Sequence, residues 1–191
     1  MLSKQEQLDT LYESYKKHLH CPLGRTDQHS LIFGTGNPNA HLMIIGEAPG
    51  KTEEEQGLPF VGRSGKLLTT ILTSLDIGRP DIFITNIVKC RPQNNRTPTI
   101  KEIDAYRDLL YKQIDIIQPI AICTLGAVAL QALLPDAPKI TMARGNFYYY
   151  KKIPVMPTYH PAYILRNATS LPLFKKDITK VVTIVKKLGG G

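Results

Sequence analysis

A chain of 191 residues with 42% hydrophobic content fits one compact domain that buries its own core without disulfide staples. No apolar run approaches the ~18 residues of a membrane span, the first residues lack the layout of a secretory signal, and three widely spaced cysteines make no disulfide framework. A net charge of +8 favours a polyanionic partner, most commonly nucleic acid; the plain alternative is a basic surface kept for solubility.

In chain order, Leu8, Leu11, Tyr12 and Tyr15 mark a short amphipathic helix. Residues 41–46 read as a buried strand that runs into the Gly/Pro-rich turn Gly46-Glu47-Ala48-Pro49-Gly50. Leu67, Leu68, Ile71, Leu72 and Leu75 recur at helical spacing. Residues 81–86 read as a second strand. The sequence from Thr99 to Glu102 is a capping-box pattern opening a helix striped by Ile103, Tyr106, Leu110, Ile114 and Ile117. Residues 119–124 form a third strand, and Gly126 starts another short helix. Residues 147–157 read as a hairpin, turned at Lys151-Lys152, that feeds a fourth core strand. Phe174, Ile178, Val181, Val182 and Val185 stripe the last helix, and 189–191 read as a flexible tail. The alternation predicts an α/β fold in a single domain over 1–191.

Two irregular stretches, from Pro49 to Arg63 and from Cys90 to Pro98, follow strands, as does the stretch from Tyr159 to Asn167. In a parallel sheet all three belong on the rim where ligands bind. With the strand end at Asn86 they bring together an aromatic ring (Phe60), an amide (Asn86) and an imidazole (His160), the groups a pocket needs to grip a flipped-out nucleobase.

These segments resemble family 4 uracil-DNA glycosylases over roughly residues 21–166. The resemblance is carried by Phe33-Gly34 with Gly36-Asn37-Pro38, by Gly46 to Gly50, by Gln56-Gly57 and by Pro59 to Gly65. It continues through Thr85 to Pro92, Asn95-Arg96, Arg144-Gly145 and Pro157 to Tyr163. It implies a three-layer αβα sandwich around a central four-stranded parallel sheet. It also implies hydrolysis of the bond between uracil and deoxyribose in DNA, leaving free uracil and an abasic site, in base excision repair. Uracil-containing DNA is then the partner, and the protein is expected to be a monomer in the cytoplasm, associated with the nucleoid when on DNA. Loss of catalysis with retained DNA binding, or a preference for another deaminated base such as hypoxanthine, are the competing expectations.

The resemblance assigns roles residue by residue. Phe60 is expected to stack on the flipped base, although a loop-anchoring Phe is the ordinary alternative. Asn86 presents a donor and an acceptor to O4 and N3–H of uracil, where cytosine would mispair; it could instead cap a loop. His160 faces uracil O2, where charge grows as the bond breaks, while His18, His20, His29 and His41 read as structural. Glu47 is expected to stabilise the sugar cation and orient water, or merely to shape its loop, because Ala48 stands where the superfamily's best-known branch has a catalytic Asp. Gly46, Ala48 and Gly50 complete the base pocket. Arg63, Ser64, Arg91, Arg96 and Arg166 are candidate phosphate contacts. Pro161, Ala162, Tyr163 and Ile164 are candidates for a minor-groove wedge. The acidic run Glu53-Glu54-Glu55 reads as solvated near a helix start.

Family 4 members usually hold a four-iron, four-sulfur cluster on four cysteines. Only Cys21 and Cys90 match; His18 and Tyr106 occupy the other two positions, and Cys123 reads as a buried core residue. No cofactor and no metal site is expected, and a zinc site from His18, His20, Cys21 and Cys90 has no standard spacing.

Overall fold

The computed structural model describes residues 2–18 and 31–189. Eight helices and six strands follow one another among them: α1 (Lys4–His18), β1 (Thr35–Gly36), β2 (Leu42–Gly46), α2 (Lys51–Gln56), α3 (Arg63–Thr73), β3 (Ile82–Asn86) and α4 (Ile100–Ile117). Then come β4 (Ala121–Leu125), α5 (Ala127–Leu133), α6 (Ile140–Ala143), β5 (Tyr148–Tyr150), β6 (Ile153–Thr158), α7 (Pro161–Arg166) and α8 (Leu171–Gly189).

The strands form one sheet in the order β1-β3-β2-β4-β6-β5. The inner four are parallel, as expected; β1 and β5 add antiparallel edges. Every residue of β2, β3 and β4 is buried, the continuous apolar signature of a parallel sheet covered on both faces. Alternate side chains feed two separate cores. Met43, Ile45, Phe83 and Ile122 meet α1, α4 and α5 on one face. Leu42, Ile44, Ile84 and Cys123 meet α3 and α8 on the other. A three-layer sandwich results.

The expected stripes are the buried ones: Leu68, Ile71 and Leu72 on α3, Tyr106, Leu110, Ile114 and Ile117 on α4, and Phe174, Ile178, Val181, Val182 and Val185 on α8. Thr99 caps α4 reciprocally with Glu102. The hairpin β5–β6 turns at Lys151, whose φ is +53°. Two departures matter. The stretch from Pro49 to Arg63 is not irregular throughout, because α2 occupies its first half. The strand β1 has only two residues and carries no alternation that a sequence could show.

The chain leaves β2 through α2 and α3 to reach β3 on one side, then returns through α4 to β4 on the other. That reversal, with the connecting helices on opposite faces, opens a crevice beyond the carboxyl ends of the strands. Register brings the loops level there: Gly46 pairs with Asn86, and Leu125 with Thr158.

Candidate active site

A cleft of about 590 Å³ opens at this edge. Its walls come from the turn after β2 (Glu47, Ala48, Gly50), the loop before α3 (Phe60, Arg63, Ser64), the end of β3 (Asn86), the loop before α4 (Asn95, Arg96, Thr97) and the turn into α7 (His160, Ala162, Tyr163, Arg166). The three rim segments thus meet in one cavity.

Asn86 is 1% exposed, and its carboxamide oxygen has no hydrogen-bond partner among the described residues. An orphaned buried acceptor is costly unless a ligand supplies the missing donor. Its position is fixed from behind. The fully buried Lys89 donates to the Asn86 carbonyl (2.8 Å), the Thr85 hydroxyl (2.6 Å) and the Gln113 carboxamide oxygen (2.6 Å). Thr85 and Gln113 both donate onward to the carbonyl of Phe33. Burial pushes the Lys89 amine well below its ordinary range, while three acceptors are in place for the three protons of its charged form. Sequence patterning gave this lysine no role.

Gly46 lies directly beneath the cavity. A Cβ there would stand 2.4 Å from Asn86 Oδ1 and 2.4 Å from Phe60 Cζ. The amide and the ring both rest on a bare stretch of backbone.

Phe60 is 5% exposed, and its ring centroid lies 5.9 Å from that of His160 with the planes tilted by 35°. His160 caps α7: its Nδ1 accepts from the Ala162 amide at 3.1 Å. An accepting Nδ1 leaves the proton on Nε2 and makes that nitrogen a donor. Burial, with a contribution from the Arg166 charge and against that of Glu53, lowers the imidazole pKa to about 4. The ring is therefore neutral at pH 7. Glu47 is half-buried, and burial raises its carboxyl above the ordinary value; among the described residues no side-chain hydrogen bond reaches it.

The turn into α7 is anchored through β6 and α8. Thr158 donates to the fully buried Asp177 at 2.7 Å, and Arg144 grips the same carboxylate with two nitrogens. The Arg144 guanidinium also lies 5.6 Å from the centroid of Tyr159, immediately before His160.

Several sequence expectations need correction. Glu53 and Glu54 are not a solvated run. Glu53 accepts hydrogen bonds from the amides of Gly50, Val61 and Gly62, and Glu54 pairs with Arg91 at 2.9 Å. Arg91 is thereby paired and is not among the residues lining the cleft, and its Nε donates to Asn95 Oδ1. Arg96 lines the cleft but is held by Glu102, whose carboxyl that bond lowers to about 2. Pro161 and Ile164 are buried, so the outer face of α7 is Tyr163 (37% exposed) and Leu165 (42%), the latter missed by the motif. Arg63 and Arg166 stand exposed on the rim.

The iron–sulfur ligand set can be tested directly. Four thiolates are required, and the chain has three cysteines. Cys90 and Cys123 lie on opposite faces of the sheet, in different cores. Tyr106, at the position of the fourth ligand, is fully buried and donates its hydroxyl to Cys90 Sγ at 2.9 Å. These residues do not fit the cluster. Cys21, His20 and the His18 side chain lie outside the described residues, so the zinc alternative does too; among the described residues no group of three metal-binding side chains occurs.

A sequence model described as the uracil DNA glycosylase superfamily matches residues 33–186, which contain the sheet and every loop of the cleft. The chain is similar to the type-4 uracil-DNA glycosylase of Thermotoga maritima, with 41% identity over 99% of this chain and 100% of that protein. It is 40% identical to that of Pyrobaculum aerophilum, covering 90% and 91% of the two chains. It is 41% identical to that of Saccharolobus solfataricus, covering 92% and 85%. A cleft with an unpaired amide, a ring and a neutral imidazole, carried on a sequence matched along almost its whole length, places the chain in the uracil-DNA glycosylase superfamily, beside its type-4 members.

Proposed function

We propose that this chain excises uracil from DNA, breaking the bond between N1 of the base and C1′ of deoxyribose to leave free uracil and an abasic site. The observation that carries this reading is the unpaired, buried carboxamide oxygen of Asn86 in a cavity that also holds the Phe60 ring and a donor-form His160.

The base enters flipped out of the stack. Its N3–H donates to Asn86 Oδ1, and the Asn86 amide nitrogen donates to O4. Cytosine offers a lone pair at N3 and a donor at position 4, so both contacts turn repulsive. Phe60 supports the face of the ring. As the C1′–N1 bond breaks, its electron pair passes to the base and is spread onto O2, where the Nε2–H of neutral His160 donates a hydrogen bond. A preorganised donor at a developing oxyanion is worth ~10²–10³ in rate. The sugar is left as an oxocarbenium-like cation. Glu47 opposes that charge and holds water for attack at C1′; its raised carboxyl readies it to accept the water's proton. Arg63 and Arg166 contact the flanking phosphates, with Ser64 beside them, and the outer face of α7 approaches the groove.

We infer further that the chain holds no iron–sulfur cluster. The Tyr106–Cys90 hydrogen bond, where a cluster would need a fourth thiolate, supports this reading; the protein is taken to act as a monomer.

The test is direct. Purified protein is incubated with single- and double-stranded oligonucleotides carrying uracil, hypoxanthine or cytosine, then treated with alkali. Strand breaks at uracil are expected. Folded protein that gives none is a binding module, and breaks mainly at hypoxanthine would reassign the substrate.

A further inference from the structure

The loop that carries Phe60 has an unusual backbone. Phe60 has φ +54°, in the left-handed region that a bulky residue occupies only when its surroundings impose it. Gly65, one turn into α3, lies so close that a Cβ there would stand 1.8 Å from the Phe60 carbonyl oxygen. Side chains from two distant elements grip this turn on opposite sides.

On one side, the carboxylate of Glu53 in α2 collects amide protons. Its Oε1 accepts from Val61 at 3.0 Å and Gly62 at 2.8 Å, and its Oε2 accepts from Gly50 at 3.1 Å. On the other side, the guanidinium of Arg79, just before β3, collects carbonyls. Its two terminal nitrogens donate to Phe60 O at 2.9 Å and Pro59 O at 2.8 Å. The negative group holds the N–H side of the turn and the positive group holds the C=O side. Neither makes an ion pair with the other among the described residues. Both are therefore committed to backbone, a use for which the fork of arginine and the two oxygens of a carboxylate are suited.

We propose that Glu53 and Arg79 are positioning residues for Phe60, fixing the turn from Pro59 to Gly62 in its left-handed form so that the ring stands at stacking distance before a base arrives. Through Gly50, the same carboxylate also ties the ring's turn to the turn that bears Glu47. Recognition of the planar face of a pyrimidine is thus prepared by two side chains that need not touch it. The inference rests on the reading of Phe60 as the stacking residue, and the experiment separates the two.

Arg79→Met keeps the aliphatic stem and removes both donors. It is compared with the parent protein, with Phe60→Ala and with the double variant, reading KM and single-turnover rate on a uracil-containing single strand and inhibition by free uracil. A coupled pair in one network is expected to differ by about tenfold. Arg79→Met should weaken uracil inhibition and raise KM about tenfold with Phe60 present, but by less than twofold when residue 60 is Ala. Equal losses in both backgrounds, with Phe60→Ala itself impaired, overturn the positioning role while leaving the stacking role intact. A silent Phe60→Ala overturns the stacking role, and the proposal with it. Should Arg79→Met not fold, Arg79→Lys replaces it. Glu53→Gln probes the opposite side: its amide oxygen still serves Val61 and Gly62 but cannot serve Gly50 through nitrogen. It should give a smaller loss that likewise vanishes without the ring, and a loss that persists there counts against the proposal.

Discussion

Replacing Gly46 with alanine tests whether backbone closeness sets the pocket. The added Cβ would stand 2.4 Å from Asn86 Oδ1 and 2.4 Å from Phe60 Cζ, so each group must retreat by about 1 Å to reach the 3.4 Å of ordinary contact. Neither is free to do so. Asn86 closes a buried strand whose carbonyl is held by Lys89, and Phe60 sits in a turn held by Arg79. Forcing one methyl into such a site costs about 1–3 kcal/mol of folding stability, a fall in Tm of about 2–12 °C for a chain of this size. The functional loss should be larger, because a 1 Å misplacement of reacting groups costs ~10² in rate. Single-turnover excision from a uracil oligonucleotide, with a thermal melt of the same sample, reads both. A Gly46→Ala protein that melts like the parent and cuts at the parent rate would refute the claim that amide and ring are seated against bare backbone.

Other outcomes follow from the same geometry. Asn86→Asp removes the donor to O4 and leaves only acceptors, so excision of uracil should fall by ~10–10² and the preference for uracil over cytosine should narrow; an unchanged ratio would move base reading elsewhere. Acid should affect the rate in two stages. Glu47, raised by burial, takes up its proton somewhere above the ordinary carboxylate value of 4.5, and His160 only near 4. The acid limb of the parent should then disappear in Glu47→Gln, whose slow residual rate should persist to about pH 4; a limb near 6.5 in Glu47→Gln would show an ordinary imidazole. For stability the sign is set by a folded His160 that binds its proton later than the unfolded chain does. Its contribution is complete above about 6.5 and is lost as pH falls through about 4, which pH-dependent melts of the parent and of His160→Gln would reveal. Finally, purified protein should be colourless, without iron and without absorbance near ~400 nm, and Tyr106→Phe should lower the melting temperature by removing the buried hydroxyl that donates to Cys90 Sγ; bound iron would overturn the metal-free reading.

The four parallel strands were legible because each is a short, largely apolar run that ends at or just before Gly, Asn or Thr. The helices were legible because their stripes recur at 3.6 residues. The capping of α4 followed from Thr99 and Glu102 alone, and the ligand deficit from counting cysteines. Other features had no local signature. The two residues of β1 are too few for a period. Arg79 reaches carbonyls 19 and 20 positions earlier, and Lys89 meets Gln113 across 24 positions, so neither bond leaves a pattern in the sequence. Glu53 and Glu54 looked like solvent-facing charge because composition cannot show that one holds three amides and the other an arginine. Pro161 and Ile164 sat in a motif facing DNA, yet the turn of α7 directs them inward.

The pairing of Arg91 with Glu54 and of Arg96 with Glu102 changes how this basic surface meets a polyelectrolyte. A guanidinium already neutralised in place displaces few counterions from a phosphate chain. Two of the four candidate arginines thus shape loops, and the proposed function leaves Arg63 and Arg166 as the phosphate contacts at the cleft. Each neutralised phosphate contributes about −0.7 to the logarithmic salt slope on a single strand. Salt should therefore loosen the cleft's hold on a single strand about half as steeply as a tally of its arginines suggests, leaving much of the grip to shape and to the base itself.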